Sequence, residues 1–350
     1  MSPAVPSSAP VADVLAARRQ LLTSILRDEE ELRADEEVVE VRQLEGGWSR
    51  WSHIAVAKSH AGERRYVVRV KAPFGLFDTD LALEYDVFRG LEGIGIPTPR
   101  AFGLHESPEN PFGGEFFVME HLPGHAPNLW RAKDHAALRE DWEGSSGIAT
   151  DLVTYLARIH AVGPDRAPAS LPRVDYPGQL SRWRRVYQEY HLVRDPIVEE
   201  AFAWLAGRTP ADAPVGIVHG DWRVGNTLIE AGHVTAILDW ELAYVGDVRF
   251  DVGYFALEYT AGRHLRPKTA LMGGAMEHEW FFGQYEQLTG SSLNREVVRS
   301  YSVLGLAALI TMAYVGVRQY AEGRTRDVRR VWARYGTPGM REELTRLMDW

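Results

Sequence analysis

The sequence predicts an α+β chain with a small β-rich N-terminal lobe and a larger, mainly helical C-terminal lobe. Valine-rich stretches separated by glycine-containing turns follow one another from residue 38 onwards, which is typical of short β-strands. Helical periodicity dominates beyond residue 122, with one β-rich interruption at 215–238. The predicted division is a disordered lead-in and helix at 1–36, a β-rich lobe at 37–121 and a helical lobe at 122–350.

The small lobe is predicted to contain three strands, a helix and a further strand, preceded by a helix at 11–34. Apolar residues recur at near-helical spacing in that first helix. The second helix, at 79–91, has one apolar face and is terminated by Pro97 and Pro99. The predicted strands span residues 38–44, 53–58, 65–70 and 115–119.

The large lobe contains one segment that could cross a membrane by composition, because no charged residue occurs between Ser300 and Val317. The serine, threonine, tyrosine and glycine residues within it favour a buried helix instead. We therefore expect no membrane association. The predicted helices of this lobe span residues 148–161, 180–190, 198–206, 277–288, 295–321 and 341–350.

Composition excludes several classes of function. The 350 residues include no cysteine, which rules out disulfides, thiolate catalysis and cysteine-ligated zinc. The formal net charge of −9 argues against a general nucleic-acid binder, because such binding depends on cations that neutralise phosphates. The stretch MSPAVPSSAPVADV lacks the basic start and apolar core of a secretory signal. We expect a cytoplasmic protein, and the sequence leaves its oligomeric state open.

The most informative motif is HGDWRVGN at residues 219–226, followed by Asp239 in LDWE. Protein kinases use the spacing H-R-D-x-x-x-x-N for a catalytic Asp and a magnesium-binding Asn, with a second metal-binding Asp further on. The two fragments could be unrelated loop pieces. Because both spacings agree and a β-rich lobe lies upstream, we predict a bilobal protein-kinase-like fold that uses ATP and Mg²⁺. Asp221 is the predicted catalytic residue, and Asn226 and Asp239 are the predicted metal ligands.

Nucleotide-binding residues are predicted in the small lobe. Gly46, Gly47 and Ser49 fall between two predicted strands, where backbone N–H groups could approach phosphates, although a plain hairpin turn fits equally well. Arg69 and Lys71 lie on one face of a strand, so either could contact the phosphates, unless this is a solvated face.

Two further parts of the nucleotide site are expected. Glu84, on the following helix, is the natural ion-pair partner for the strand cation. The backbone groups of Glu120 and Leu122 are expected to recognise the adenine edge, in the segment that joins the two lobes.

Candidate residues for the acceptor site lie in the large lobe. Arg182 and Arg185 are one helical turn apart and could hold an anionic acceptor, although a solvated helix face is the more common arrangement. Trp240 and Glu241 follow the metal-binding Asp239 and could border the acceptor hydroxyl, or Trp240 could simply pack in the core. The predicted partners are therefore ATP and a small-molecule hydroxyl acceptor.

Between about residues 40 and 320 the chain resembles the aminoglycoside phosphotransferase and choline kinase-like family of small-molecule kinases. HGDWRVGN is similar to the family's HGDxxxxN loop, LDWE to its metal-binding segment, and GDVRFD to its following GD…D stretch. The resemblance implies an ATP- and magnesium-dependent O-phosphotransferase and favours Arg69, with Lys71 as substitute, as the phosphate-binding cation. Some members of the wider bacterial branch act on hydroxyacyl-CoA thioesters.

Two departures from the family pattern concern the nucleotide site. Ser49-Arg50 replaces the usual Ser-Asn, and Leu83 replaces an arginine before Glu84. The acceptor stays open between a hydroxyacyl thioester and an aminoglycoside or macrolide. A nucleotide-binding pseudokinase scaffold is the alternative outside the enzyme class, and the intact Asp221, Asn226 and Asp239 argue against it.

Overall fold

The computed structural model describes residues 11–44, 50–60, 62–72, 75, 79–262 and 269–349. The chain divides into two compact units. Unit 1 comprises Met1–Glu92 and Pro99–Leu122, and unit 2 comprises Gly93–Thr98 and Pro123–Trp350.

Unit 1 is a five-stranded antiparallel sheet with two helices. The strand order is β1-β2-β3-β5-β4, and buried apolar side chains of the sheet pack against the first helix around Leu22 and Leu26. The elements are α1 (Val11–Asp28), β1 (Glu37–Gln43), β2 (Arg50–Ser59), β3 (Gly62–Lys71), α2 (Leu81–Gly90), β4 (Ala101–His105) and β5 (Phe116–Glu120).

Two expectations for unit 1 require correction. The first helix ends at Asp28, six residues short of the predicted Ala34. Strand β4 was not expected, because Ala101–His105 is short and contains Gly103. This glycine has a φ of +48°, and a Cβ there would lie 2.4 Å from Ile25 of α1. The strand therefore depends on close packing that no local pattern encodes.

Unit 2 is mainly helical and contains two small antiparallel strand pairs, β6–β9 and β7–β8. The elements are α3 (Ala132–Glu143), α4 (Gly147–His160), α5 (Tyr176–Tyr190), α6 (Pro196–Ala206), β6 (Val215–Val218), β7 (Thr227–Glu230), β8 (His233–Ile237), β9 (Tyr244–Asp247), α7 (Arg249–Phe255), α8 (His278–Thr289), α9 (Arg295–Ala321), α10 (Arg329–Trp332) and α11 (Thr337–Leu347).

Four elements of unit 2 escaped sequence prediction: α3, α7, α10 and β9. Every residue of α7 is buried, so its sequence has no polar face and no helical periodicity. Half of the residues of helix α3 are charged, and the helix buries only His135 and Leu138. Helix α11 begins at Thr337 and ends at Leu347, whereas the sequence predicted 341–350.

Helix α9 is the segment for which a membrane span was considered. It is long and apolar enough to cross a bilayer, and 89% of its apolar window is buried within the protein. Helices α5, α6, α7 and α11 pack around it. This burial agrees with the expected core helix, since apolar composition is needed in either environment.

The acid stability of unit 1 is expected to depend on His53. This β2 side chain is buried edge-on against Phe112, with ring centroids 5.3 Å apart. Burial, and secondarily the charge of Arg18, lower the pKa of His53 to about 4. The unfolded state binds the proton more tightly, so stability should fall on the order of 2 kcal/mol as pH drops from about 6.5 to 4.

Urea unfolding of the full chain at several pH values measures this effect. Replacing the imidazole in His53→Leu should flatten the decline between pH 6.5 and 4, because the leucine cannot take up a proton. An equally steep decline in wild type and variant would contradict the assignment.

Candidate active site

The loop with the sequence HGDWRVGN connects β6 to β7 and is held by the buried carboxylate of Asp251. The backbone N–H of His219 donates to Asp251 Oδ2 at 2.7 Å, and that of Gly220 donates to Oδ1 at 2.9 Å. Gly220 has a φ of +85°, and a Cβ there would lie 2.4 Å from the carbonyl oxygen of Leu242. Glycine is therefore required for the path of the loop.

Three donors surround the carboxylate of Asp221, the predicted catalytic residue. The Tyr254 hydroxyl donates to Oδ1 at 2.5 Å, and Asn226 Nδ2 donates to Oδ2 at 2.7 Å. Arg223 Nε lies 3.3 Å from Oδ1 and 3.1 Å from Oδ2. Burial raises the pKa of Asp221, whereas the Arg223 charge and the two hydrogen bonds lower it, and the net pKa lies below the ordinary value. The carboxylate is therefore ionised at neutral pH and able to accept a proton.

The predicted metal ligands, Asn226 and Asp239, are linked through the backbone, because the Leu238 N–H donates to the Asn226 carbonyl oxygen at 2.8 Å. The side-chain nitrogen of Asn226 donates to Asp221, so its amide oxygen points away from that carboxylate. Asp239 has a φ of +68°, a conformation that non-glycine residues rarely adopt and that is common at functional positions.

This donor set fits Mg²⁺. The ion prefers oxygen ligands, and it usually keeps several waters and binds substrate phosphates beside one or two carboxylates. Among the described residues, no group of three or more His, Cys, Asp and Glu side chains could hold a metal. One amide and one carboxylate would suit a metal that binds together with a nucleotide, and the assignment of Asn226 and Asp239 as its ligands stays a prediction.

His219 and Trp240 stabilise the loop from within. His219 Nδ1 accepts the Asp221 N–H at 3.2 Å, so Nε2 carries the proton and donates to the Leu238 carbonyl oxygen at 3.0 Å. The buried Trp240 ring lies 4.5 Å from the imidazole, centroid to centroid. Glu241 is half-buried. The roles of Trp240 and Glu241 beside the acceptor hydroxyl stay predictions.

In unit 1, the buried carboxylate of Glu84 binds two arginines. Arg69 Nη2 lies 2.8 Å from Glu84 Oε1, and Arg50 Nε lies 3.5 Å from Oε2. Lys71 instead pairs with Glu115 at 3.3 Å. Guanidinium groups are donors of the kind that bind phosphates. The sequence predicted the Arg69–Glu84 pair and treated Arg50 only as a departure from the family.

The remaining nucleotide-site predictions concern the paired glycines with Ser49 and the end of strand β5. Gly46, Gly47 and Ser49 lie outside the described residues. Glu120 ends β5, and Leu122 follows it at the end of unit 1; both side chains are half-buried. Their contact with adenine stays a prediction.

The two predicted acceptor arginines share helix α5 but differ in surroundings. Arg182 is half-buried, its guanidinium lies 5.4 Å from the ring centroid of Trp183, and burial lowers its pKa. Arg185 is exposed. A joint role in holding one anion stays a prediction, and Arg182 is the better placed of the two to lose solvent on binding.

Sequence reasoning missed Arg223 and Tyr254, which surround the predicted catalytic carboxylate. Arg223 lies inside the motif, two positions after Asp221, so a cation beside the predicted base was a usable signal. Tyr254 lies 33 residues further along the chain, and only the folding of α7 brings its hydroxyl to Asp221. No local pattern marks it.

Comparison with known proteins identifies the class. The chain belongs to the phosphotransferase enzyme family, whose sequence model matches residues 40–286. It is therefore an ATP-dependent small-molecule phosphotransferase, and the predicted family resemblance is confirmed.

Solved structures confirm the predicted α+β, kinase-like fold class. A candidate aminoglycoside phosphotransferase from Ralstonia eutropha JMP134 is 20% identical with a TM-score of 0.72, and the alignment covers 94% of this chain and 98% of that chain. A thermostable mutant of aminoglycoside phosphotransferase APH(4)-Ia, in ternary complex with AMP-PNP and hygromycin B, is 16% identical with a TM-score of 0.58 and coverage of 93% and 98%.

Among curated proteins, acyl-CoA dehydrogenase family member 10 of Mus musculus is 31% identical over 206 residues, which are 56% of this chain. The matched region is 18% of that protein. The chain thus spans a minor part of the relative's length, and the match concerns that part alone.

Replacing Asp221 by asparagine should lower ATP-dependent phosphoryl transfer by about a hundredfold or more, because the amide cannot take up the acceptor proton. Binding of ATP with Mg²⁺, measured by calorimetry, should change little. Asp165→Asn, which neutralises an exposed carboxylate, is the control. Full turnover by the Asp221 variant would rule out its catalytic role.

Variants at the two strand cations should separate their roles. Arg69→Gln is expected to weaken ATP binding about tenfold, because it removes a charge-assisted contact beside Glu84. Lys71→Gln should change the dissociation constant less than about twofold, since Lys71 pairs with Glu115. If calorimetric titrations showed that Lys71→Gln weakens ATP binding more than Arg69→Gln does, Lys71 would be the phosphate-binding cation.

Proposed function

We propose that this protein transfers the γ-phosphoryl group of ATP to a hydroxyl group of a small anionic acceptor, with Asp221 as the proton acceptor. The observation that carries the proposal is the orientation of the Asp221 carboxylate, which is held by Asn226 on a loop whose path is fixed by Asp251. An oriented carboxylate beside a metal-binding amide is the minimum that hydroxyl phosphorylation requires.

The proposed reaction proceeds by direct transfer. The acceptor hydroxyl donates a hydrogen bond to Asp221, and its oxygen forms a bond to the γ-phosphorus. The bond between that phosphorus and the β–γ bridging oxygen breaks, and ADP leaves with the electron pair. The hydroxyl proton passes to Asp221 late in the transfer, so charge and atoms balance.

Asn226 and Asp239 would hold Mg²⁺ through their side-chain oxygens. The ion, when bound, neutralises charge on the phosphate oxygens. Arg69 and Glu84 would orient the nucleotide phosphates, with Arg50 supplying the second positive charge on Glu84. The complex of APH(4)-Ia with AMP-PNP supports nucleotide use by a protein of this fold.

Arg223 supports an anionic acceptor. Burial lowers the pKa of its guanidinium, but the Asp221 charge raises it more, and the net pKa lies above the ordinary value. Arg223 therefore stays cationic beside the predicted base, where it would repel a polycationic aminoglycoside and attract a phosphate or carboxylate. Among anionic acceptors, the mouse acyl-CoA dehydrogenase relative favours a hydroxyacyl-CoA thioester.

An antibiotic acceptor is the second candidate. The fold neighbours include an aminoglycoside phosphotransferase crystallised with hygromycin B, whose acceptor is a cationic aminoglycoside. The sequence identity between these neighbours and this chain is too low to indicate the same acceptor. The charge of Arg223, in contrast, is a feature of this chain itself.

An ATP-consumption screen decides between these acceptors. With ATP and Mg²⁺, ADP release should be stimulated by 3-hydroxybutyryl-CoA and not by butyryl-CoA, which lacks the acyl hydroxyl. Hygromycin B, erythromycin and choline should give no stimulation. Mass spectrometry should find one phosphate on the acyl group of the product.

The Asp221→Asn variant is the control for contaminating ATPases. If only an antibiotic stimulated ADP release, the acceptor would belong to that class of antibiotic and the proposal of an anionic acceptor would be wrong. No stimulation by any acceptor, together with no calorimetric binding of ATP with Mg²⁺, would refute the kinase proposal.

A further inference from the structure

The donors around Asp221 differ in how firmly they are held. The Tyr254 hydroxyl and Asn226 Nδ2 bind one carboxylate oxygen each, at 2.5 and 2.7 Å. Arg223 Nε is shared between the two oxygens at longer distances, 3.3 and 3.1 Å. Tyr254 is 1% exposed, whereas the Arg223 side chain is 33% exposed. The Tyr254 hydroxyl is thus a buried donor, whereas the Arg223 side chain reaches solvent.

Close packing between α7 and α9 holds the Tyr254 ring. A Cβ on Gly253 would lie 2.6 Å from the carbonyl oxygen of Val298, so the two helices approach at backbone distance. A Cβ on Gly305 would lie 2.9 Å from Tyr254 Cδ2, which means that the ring occupies the space left by that glycine. The Ser302 hydroxyl donates to the Gly253 carbonyl oxygen at 2.7 Å and fixes the crossing.

The ring has further support on its other side. Phe250, one turn earlier on α7, stacks on Tyr254 with centroids 6.0 Å apart and an interplanar angle of 20°. A buried phenol in such a site needs a hydrogen-bond acceptor, and Asp221 provides it. Burial raises the pKa of Tyr254 well above its ordinary value, so the hydroxyl stays protonated and remains a donor.

Both oxygens of the carboxylate already accept hydrogen bonds from Tyr254, Asn226 and Arg223, so an acceptor hydroxyl binds most readily where one of these donors leaves. Tyr254 cannot leave without disturbing the α7–α9 contact, and Asn226 is 5% exposed within the loop. Arg223 has a flexible side chain and borders solvent. The acceptor hydroxyl would therefore replace Arg223, while Tyr254 and Asn226 keep the orientation of the carboxylate.

We propose that Tyr254 is a positioning residue for phosphoryl transfer: its hydroxyl, held by the α7–α9 packing, fixes the rotamer of Asp221 after Arg223 has given way to the acceptor. This inference rests on the proposed kinase function. Tyr254 does not touch substrate. It acts through Asp221, so its removal affects the transfer step more than nucleotide binding.

The structure offers a matched control. Tyr314 on α9 donates to Asp195 Oδ2 at 2.5 Å, and Arg341 Nε donates to the same oxygen at 2.6 Å. This Tyr–Asp–Arg cluster repeats the chemistry around Asp221, but it joins α6, α9 and α11 and contains none of the predicted catalytic residues. Tyr314→Phe therefore removes an equivalent hydroxyl without touching the proposed machinery.

The test compares Tyr254→Phe with Tyr314→Phe, using ATP, Mg²⁺ and 3-hydroxybutyryl-CoA, or the acceptor that the screen finds active. Tyr254→Phe should lower kcat about tenfold or more. Its KM for ATP should stay within about twofold of wild type, because the nucleotide contacts are unchanged. Tyr314→Phe should keep wild-type kcat, and thermal unfolding should show both variants folded.

A second variant moves the ring but keeps its hydroxyl. Gly305→Ala places a methyl group against Tyr254 and should also lower kcat with little change in KM for ATP. Gly283→Ala on α8, where a Cβ would meet nothing within 4 Å, is its control and should keep wild-type kcat.

The outcomes separate the two proposals. If the wild type turns over and both Tyr254→Phe and Tyr314→Phe have the wild-type kcat, Tyr254 has no positioning role and the kinase assignment stands. A parallel loss in Tyr254→Phe and Tyr314→Phe would indicate general structural damage and would also overturn the inference. A wild type that fails with every acceptor and binds no ATP with Mg²⁺ would instead refute the proposed function.

Discussion

The buried carboxylate of Asp251 is the constraint on which the candidate site depends. It accepts the backbone N–H groups of His219 and Gly220, and His160 Nε2 lies 3.1 Å from it. His160 is in turn hydrogen-bonded to Tyr285, with Nδ1 and the hydroxyl oxygen 2.6 Å apart. A charge removed from water needs such a set of partners, since an unpaired buried carboxylate is unstable. The loop geometry is therefore part of the folding energy of unit 2.

The same principle applies in both units, because in each a carboxylate with little solvent exposure is compensated by arginine. In unit 1, the buried Glu84 binds Arg50 and Arg69, whose guanidinium groups are of the kind that bind phosphates. In unit 2, Asp221 has Arg223 as an ionic partner and also accepts hydrogen bonds from the neutral side chains of Tyr254 and Asn226. Each carboxylate holds a functional group in place because leaving it unpaired would cost stability.

Much of the fold class was accessible from the sequence because the strands of unit 1 and the long helices of unit 2 have strong periodicity. Elements that deviate from such patterns were missed for identifiable reasons. Helix α7 is buried on all sides, and β4 contains a glycine that packs on Ile25. The ends of α1 and α11 were misplaced because propensity weakly specifies helix ends.

The sequence by itself determined the chemistry that we propose for the site. Asp221, Asn226 and Asp239 form a motif because their spacing along one loop and the β7–β8 pair that follows it is set by local geometry, which depends on adjacent residues. The tertiary structure alone decided what surrounds that chemistry. Tyr254 reaches Asp221 only through the crossing of α7 and α9, and Arg50 joins Glu84 only through the sheet of unit 1. Contacts between segments distant in sequence depend on packing, which no short pattern encodes.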